Sequence, residues 1–210
     1  MLGLAGCSST PPDTAGEPRT LVDDANGTLS NFMRDPEMTW FRNNLRTARG
    51  LLIAPTFLRA GFIFGGAGGN GVLLVRDGSG GWSYPAFYTV AAGSVGFQAG
   101  VEVAEVILMV RSDHGRDALL SNSFKLGADA SVAAGPVGAG AQVATSDILA
   151  FSRSKGLYGG VSLDGSVVTT RDAWNASYYG RSVRPVDILV SGSVSNPHAD
   201  PLRAALNRAA

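Results

Sequence analysis

The fold class this sequence predicts is α+β: a mainly antiparallel β-sheet, barrel-like or sandwich-like, flanked by N- and C-terminal helices. Three observations predict it. From Leu51 onward, short apolar runs alternate with a period of two. Clusters of Gly, Asn and Asp separate those runs, as turns between strands require. The segments before Gly50 and after Asp200 instead repeat at three- and four-residue steps, the helical period.

The elements follow in order. Residues 1–19 read as a tether, because Ser8 to Pro18 is rich in Ser, Thr, Pro and Gly and nearly free of apolar bulk. Residues 20–210 then form one domain, a length that suits a single core. Leu21, Val22, Ala25, Leu29, Phe32 and Met33 predict a short amphipathic helix, weakened by Gly27. Asp35-Pro36-Glu37 is a helix start: Asp caps free N–H groups, Pro fits the first turn, and Glu suits the positive end of the dipole. Met38, Phe41, Leu45 and Ala48 give that helix an apolar face, and Gly50 ends it.

Gly61–Phe64, Gly71–Val75, Trp82–Ala91 and Val95–Val110 read as strands, broken at Gly65–Asn70, Asp77–Gly81 and Ala92–Gly93. Asp113–Leu120 reads as a short helix. Phe124–Ala133, Val137–Thr145, Ile148–Ser152, Leu157–Leu163 and Ser166–Thr170 continue the β pattern, with Asp164-Gly165 as a tight turn. Tyr178-Tyr179-Gly180 closes that region. Pro185–Val190 reads as a short helix or edge segment, and Asp200-Pro201 caps a last helix through Leu202, Ala205 and Leu206.

Composition excludes several function classes. The chain has 45% hydrophobic residues but only 16% charged, against a norm near 25%. With a net charge of zero and a pI near 6.7, bulk electrostatics will not draw it onto nucleic acid. One cysteine excludes an internal disulfide. No apolar run is long enough for a membrane-spanning helix. Two histidines and scattered carboxylates give no metal-ligand cluster, and no cofactor is expected.

Gly66-Ala67-Gly68-Gly69-Asn70-Gly71 matches a dinucleotide fingerprint in form only. That motif opens a helix whose dipole faces the pyrophosphate, and here the strand-like Val72-Leu73-Leu74-Val75 follows. The glycines read as a tight β connection. Ala92-Gly93-Ser94-Val95-Gly96 is part of a nucleophile elbow, but a strand follows where the elbow needs a helix. No spacing ties Ser94 to His114 or His198. Glu105 falls on the apolar side of its strand by strict alternation. Either a partner such as arginine holds it, or a bulge turns it outward, or it is a pocket carboxylate, or the register differs from strict alternation.

The basic residues carry the binding expectation. Arg42, Arg46 and Arg49 make one stripe of the predicted helix, near Trp40, and such a stripe can lie on anionic lipid. Arg153 and Lys155, among Ser152 and Ser154, put two cations at a strand end, and Arg59 precedes the glycine run. Upstream, Leu4-Ala5-Gly6-Cys7 resembles a bacterial lipobox, in which the cysteine is acylated. Only Met1 to Gly3 stand before it, so a truncated start and a chance match are the two readings.

Several blocks together resemble the SYLF lipid-binding domain family. They are Arg59-Ala60-Gly61-Phe62-Ile63-Phe64-Gly65-Gly66, Gly68 to Val72, Trp82 to Phe87, Gly93 to Gly100, Leu126 to Asp129, Ala134 to Gly138, Phe151 to Leu157 and Tyr178-Tyr179-Gly180. They keep their order from about Arg34 to Val190. The resemblance implies a non-enzymatic domain that binds membrane phospholipid. It further implies phosphoinositide and, in fungi, actin links for eukaryotic relatives, and envelope lipoproteins among bacterial ones. The family's membrane contact is attributed to an N-terminal amphipathic segment and basic positions, which here match Arg42, Arg46, Arg49, Arg153 and Lys155. Asn70 stands where many relatives have lysine, which removes a cation beside the glycine run.

The expectation is a lipoprotein anchored through Cys7 to the outer membrane and facing the periplasm. It would bind anionic phospholipid through Arg42, Arg46, Arg49, Arg59, Arg153 and Lys155. Actin is not carried over, because an envelope protein does not meet it. The alternative is an envelope scaffold that captures a protein partner through the Trp82-Tyr84-Phe87 segment or a sheet edge.

Overall fold

The computed structural model describes residues 16–61, 64–95, 100–135, 146–154 and 163–209. Helix α1 spans Gly16–Arg34, starting inside the stretch read as tether. It buries Val22, Ala25, Thr28, Leu29 and Phe32, the stripe that the three- and four-residue spacing predicts. The next segment is not one helix. A 3₁₀ turn at Pro36–Met38, helix α2 at Thr39–Asn44 and a second 3₁₀ turn at Leu45–Thr47 follow one another. Its start is as expected, with the Asp35 carboxylate accepting from the Glu37 N–H at 3.0 Å. Met38, Phe41, Leu45 and Ala48 are all buried, so the apolar face survives the break in helix type.

Among the described residues the sheet has eight strands. β1 is Gly50–Gly61, β2 Phe64–Val75, β3 Ala86–Val95 and β4 Gly100–Val110. β5 is Ser123–Lys125, β6 Val132–Ala134, β7 Ile148–Ser154 and β8 Val167–Thr170. Their order is β5-β8-β3-β2-β1-β4-β7-β6, in a curled half-barrel. Each of these strand pairings is antiparallel except β6 with β7. Helices α3 (Asp113–Leu119), α4 (Asp172–Tyr179), α5 (Pro185–Leu189) and α6 (Asp200–Ala209) complete the fold. The α+β class with terminal helices and a mainly antiparallel sheet holds.

Several boundaries differ from the sequence reading. Gly65–Asn70 and Ala92–Gly93 are strand interior, not breaks. Val95 belongs to β3 and Gly100 to β4, so the Val95–Val110 run spans two strands, and the Phe124–Ala133 run divides into β5 and β6 around a turn. Tyr178 and Tyr179 end helix α4, and Gly180 closes it in the left-handed conformation at φ 70. Val137–Thr145 and most of Leu157–Leu163 lie outside the described residues.

The glycine run has a packing cause. β1 carries Pro55, which cannot donate to a ladder, at a register shift between Ile53 and Thr56. The irregular backbone presses on β2. A Cβ on Gly71 would sit 2.9 Å from the Ile53 carbonyl oxygen, and one on Gly69 would overlap that of Thr56. Only glycine lets β2 pass the bulge.

The bulge also decides which side chains face which layer. On one face, Leu51, Ile53, Val72, Leu74, Phe87, Ile107 and Met109 pack under α1, α2, α4 and α6. On the other, Leu52, Ala54, Leu73, Val75, Tyr88, Val106 and Leu108 form a second core with Phe124, Val168 and residues of α3 and α5. The central strands are therefore buried on both sides near Gly50, which is why they read as continuous apolar runs.

Candidate functional site

Arg153 leaves β7 toward α1. Its Nε donates to Asp35 Oδ2 at 2.9 Å and its Nη1 to Glu105 Oε2 at 3.0 Å. Thr28 and Asn31 of α1 donate to the other oxygen of Glu105, at 3.0 and 2.7 Å. The Asp35 side chain is only 4% exposed. Two carboxylates, Glu105 first, raise the Arg153 pKa and hold its charge in place. Glu105 is thus the paired carboxylate among those readings, and the cluster clamps α1 to β4 and β7. Arg42 joins from α2, donating to the Asp35 carbonyl and, at 2.9 Å, to Thr39 Oγ1.

The remaining basic residues separate. Arg46 is exposed and makes no ion pair among the described residues. Arg49 lies just before β1, half exposed, 3.7 Å from Asp113. Arg59 lies ten residues along β1, about 33 Å away at strand rise, and faces Glu102 at 4.0 Å. Cys7 and Lys155 lie outside the described residues. The structure therefore joins Arg42 with Arg153 at Asp35, keeps Arg46 and Arg49 near one end of the sheet, and puts Arg59 at the other.

Two arginines that the sequence reading did not single out stand beside Arg49. Gly50 pairs with Val75 on one side and Val110 on the other, so Arg49, Arg76 and Arg111 are neighbours across β1, β2 and β4. The Arg76 N–H donates to the Arg49 carbonyl at 2.9 Å, and the Arg49 N–H to the Val110 carbonyl at 2.7 Å. Neighbouring strands lie about 4.8 Å apart, so three guanidinium groups share one sheet end. Arg76 also donates to the Ala48 and Gly80 carbonyls and covers the Trp82 ring at 4.7 Å. Arg111 covers Trp40 at 5.9 Å. The sequence signal for this row is weak: each arginine flanks an apolar run, and only strand register aligns the three.

The rival constellations disperse. Ser94 continues strand β3 opposite Gly65, with no strand-to-helix turn. His114 contacts Asp147 at 3.3 Å, and His198 contacts Tyr178 at 3.2 Å and Asp23 at 3.4 Å. No group of three metal-ligating side chains occurs among the described residues. Trp82 and Phe87 are fully buried, so that segment is core and not a docking stripe. Asp147 is a fastening point: burial pushes its carboxyl up, but hydrogen bonds from Ser112, Ser131 and His114 outweigh that and hold it at about 2.

Residues 91–209 match the family described as "Ysc84: Las17-binding protein actin regulator". The chain belongs to the Ysc84 family. This is the SYLF family that the ordered sequence blocks resemble. Among curated relatives, the chain is 36% identical over 166 residues to Protein YSC84 of Saccharomyces cerevisiae, covering 75% of this chain and 35% of the relative. It is 36% identical over 170 residues to LAS seventeen-binding protein 3 of the same yeast, with 75% and 36% covered. It is 30% identical over 161 residues to SH3 domain-containing YSC84-like protein 1 of Homo sapiens, with 74% and 47% covered. The chain thus spans only about a third to a half of the length of these relatives. In the Ysc84 family model, the matched stretch begins within β3, so α1, β1 and β2 lie before it.

Proposed function

We propose that this Ysc84-family domain binds anionic membrane phospholipid without catalysing a reaction. The observation that carries the reading is the arginine row at one sheet end: Arg49, Arg76 and Arg111 on adjacent strands, with Arg46 exposed nearby. Each cation near an anionic surface contributes about 1 kcal/mol, and the sum fades with salt. Asp77 and Asp113 adjoin the row, which favours a spread anionic surface over one tightly held polyphosphate. Arg42 and Arg153 are held by Asp35 and Glu105, and Arg59 lies at the other end of the sheet opposite Glu102, so their share in headgroup contact at the row is the smaller one. In this reading the chain before α1 is a tether, α1 onward is the lipid-reading domain, and acylated Cys7 anchors it in the outer membrane, facing the periplasm. Lys155 would add to the charge.

The test is co-sedimentation of the full chain carrying Cys7→Ser with neutral and anionic vesicles, at low and high salt. Binding that requires anionic lipid, fades with salt and falls on Arg46→Glu/Arg49→Glu supports the reading. Equal binding to neutral and anionic vesicles overturns it. A second reading, protein capture, is favoured by the relatives named for binding Las17. It predicts a partner interaction that survives the same charge reversals.

A further inference from the structure

Among the described residues, five large apolar side chains are exposed: Leu58 46%, Val101 74%, Val103 47%, Val167 40% and Val190 58%. Four of them share one side of the sheet. Leu58 pairs with Val103 across β1 and β4, and Val101 pairs with Ala60, two residues from Leu58. Leu58 also pairs with Gly68, Gly68 with Ala91, and Ala91 with Val167. Directly paired residues point to the same side. This is the side that α1 covers nearer Gly50, because Thr56, Leu58, Gly68 and Asn70 line a groove with Thr20 and Leu21 of α1.

The groove encloses about 570 Å³ and continues onto the bare strands. Trp174 forms its other wall. Gly68 stands between Leu58 and Ala91, and Gly66 between Ala60 and Gly93, so the surface there is flat. Its centre is also poor in charge. The sequence has no Asp, Glu, Lys or Arg from Ala60 to Val75, nor from Gly78 to Val101. Arg59 and Glu102 alternate to the opposite side, while on the same side Glu105, paired with Arg153, lies beyond Val103, and Lys125 lies beside Val167 at the edge. Such a contiguous apolar surface is unusual on a folded chain that meets only water.

Two features of the surroundings identify what covers it. The first is charge. The groove wall carries the carboxylates Glu17 and Asp24, and no Lys or Arg is among its lining residues. Arg171 stands beside the groove, stacked 3.7 Å over the Trp174 ring and donating to Asn70 Oδ1 at 2.9 Å, so two carboxylates face one cation that is already engaged. Anionic headgroups are therefore disfavoured here. The second is chain geometry. Gly16 itself lines the groove, and Cys7 is nine residues upstream, a span of at most about 30 Å. An acyl chain on Cys7 would keep the bilayer within reach of this face.

We infer that the bare half of the sheet rests on the apolar boundary of the bilayer that holds the Cys7 anchor, among zwitterionic headgroups. The inference deepens the membrane reading above, but it does not depend on the arginine row. That row lies at the far end of β1, about 35 Å away at strand rise. The two ends are too far apart to share one patch of headgroups. With the apolar face down, the arginine row stays at the opposite end of the sheet, outside the anchoring contact.

The test uses the full chain with Cys7→Ser, so that a single introduced thiol can carry a polarity-sensitive fluorophore. Val101→Cys reports the apolar face, and Val190→Cys reports a surface beyond α5. The probe is phosphatidylcholine vesicles in high salt, where arginine contacts are screened. The expected result is a blue shift at position 101 and none at 190, with vesicle partition about tenfold weaker in Leu58→Asp/Val103→Asp. No shift at 101, an equal shift at 190, or a partition unchanged by the two aspartates overturns the inference. Failure of the arginine reading looks different: anionic lipid then adds nothing over neutral lipid, while the shift at 101 persists.

Discussion

Strand β1 passes through two environments. Near Gly50 it is sandwiched, with Leu51 and Ile53 under the helices and Leu52 and Ala54 in the opposite core, none more than 1% exposed. Beyond the bulge at Pro55, Phe57 stays buried, yet Leu58 is 46% exposed. Apolar side chains occur in both halves of the strand. What changes is the cover: α1, α2, α4 and α6 extend over the first half and stop short of the second. An apolar side chain in a strand therefore marks a surface that something must cover. Whether the cover is the protein's own helix layer or a partner is decided elsewhere in the chain.

Breaking the sandwiched half should have the largest effect. Phe41→Ala removes a fully buried ring that packs edge-on against Phe32 and Phe151, and should cost about 3–5 kcal/mol in urea unfolding. Leu58→Ala, on the bare half, should stay within about 0.5 kcal/mol of the parent. Similar losses in both would remove the distinction between the halves.

The helix layer itself can be loosened at its clamp. Arg153→Ala leaves the buried Asp35 carboxylate and Glu105 without their cation, and should cost about 2 kcal/mol. Hydrogen exchange should then quicken in α1 before it does in β1. Uniform protection across both elements would mean that the clamp does not hold the cover down.

Two glycines of β2 sharpen the comparison further, one beside each half of β1. Gly71 lies opposite the bulge, where an added Cβ would be forced to 2.9 Å from a backbone oxygen, and Gly71→Ala should cost about 2 kcal/mol. Gly66 lies on the bare half, where an added Cβ meets nothing closer than 4.0 Å. Gly66→Ala should therefore be neutral or stabilising by about 0.5 kcal/mol. Thermal melts of the two variants check this, and equal losses would show that crowding by the bulge does not set the need for glycine.

The smallest expected effect is on pH. The Asp147 carboxyl is held at about 2 by its hydrogen bonds from Ser112, Ser131 and His114, despite burial. Its folded value lies below the ordinary carboxylate value of about 3.9. The stability it contributes is therefore complete above about pH 4 and is lost as pH falls toward 2. Asp147→Asn should lower stability at neutral pH and flatten the acid limb between those values. A limb of unchanged slope would assign acid sensitivity to other carboxylates.

Much of this was legible in residue order. The period-two runs and the helical stripes gave the α+β class, because burial imposes its own period on each element. Asp35 read as a cap and was one. Glu105 read as a carboxylate needing a partner, since ionised oxygen on an apolar face is costly, though not which of seventeen basic residues would supply it. Other features were hidden for a physical reason. Glycines signal turns by propensity, so Gly65–Asn70 looked like a break, when Gly69, with Gly71 beyond it, lets β2 pass the bulge in β1. The arginine row depends on register between strands far apart in sequence, and no local pattern encodes register.

By itself, the sequence determined the family, the helical and extended segments and the shortage of charge across Ala60–Val101, because these depend on local spacing and composition. Only the tertiary structure decided which apolar residues were covered, that Arg153 is a clamp, and that Arg49, Arg76 and Arg111 stand together. Those outcomes arise from contacts between distant segments, where the partner, and not the residue alone, sets the energy of each side chain.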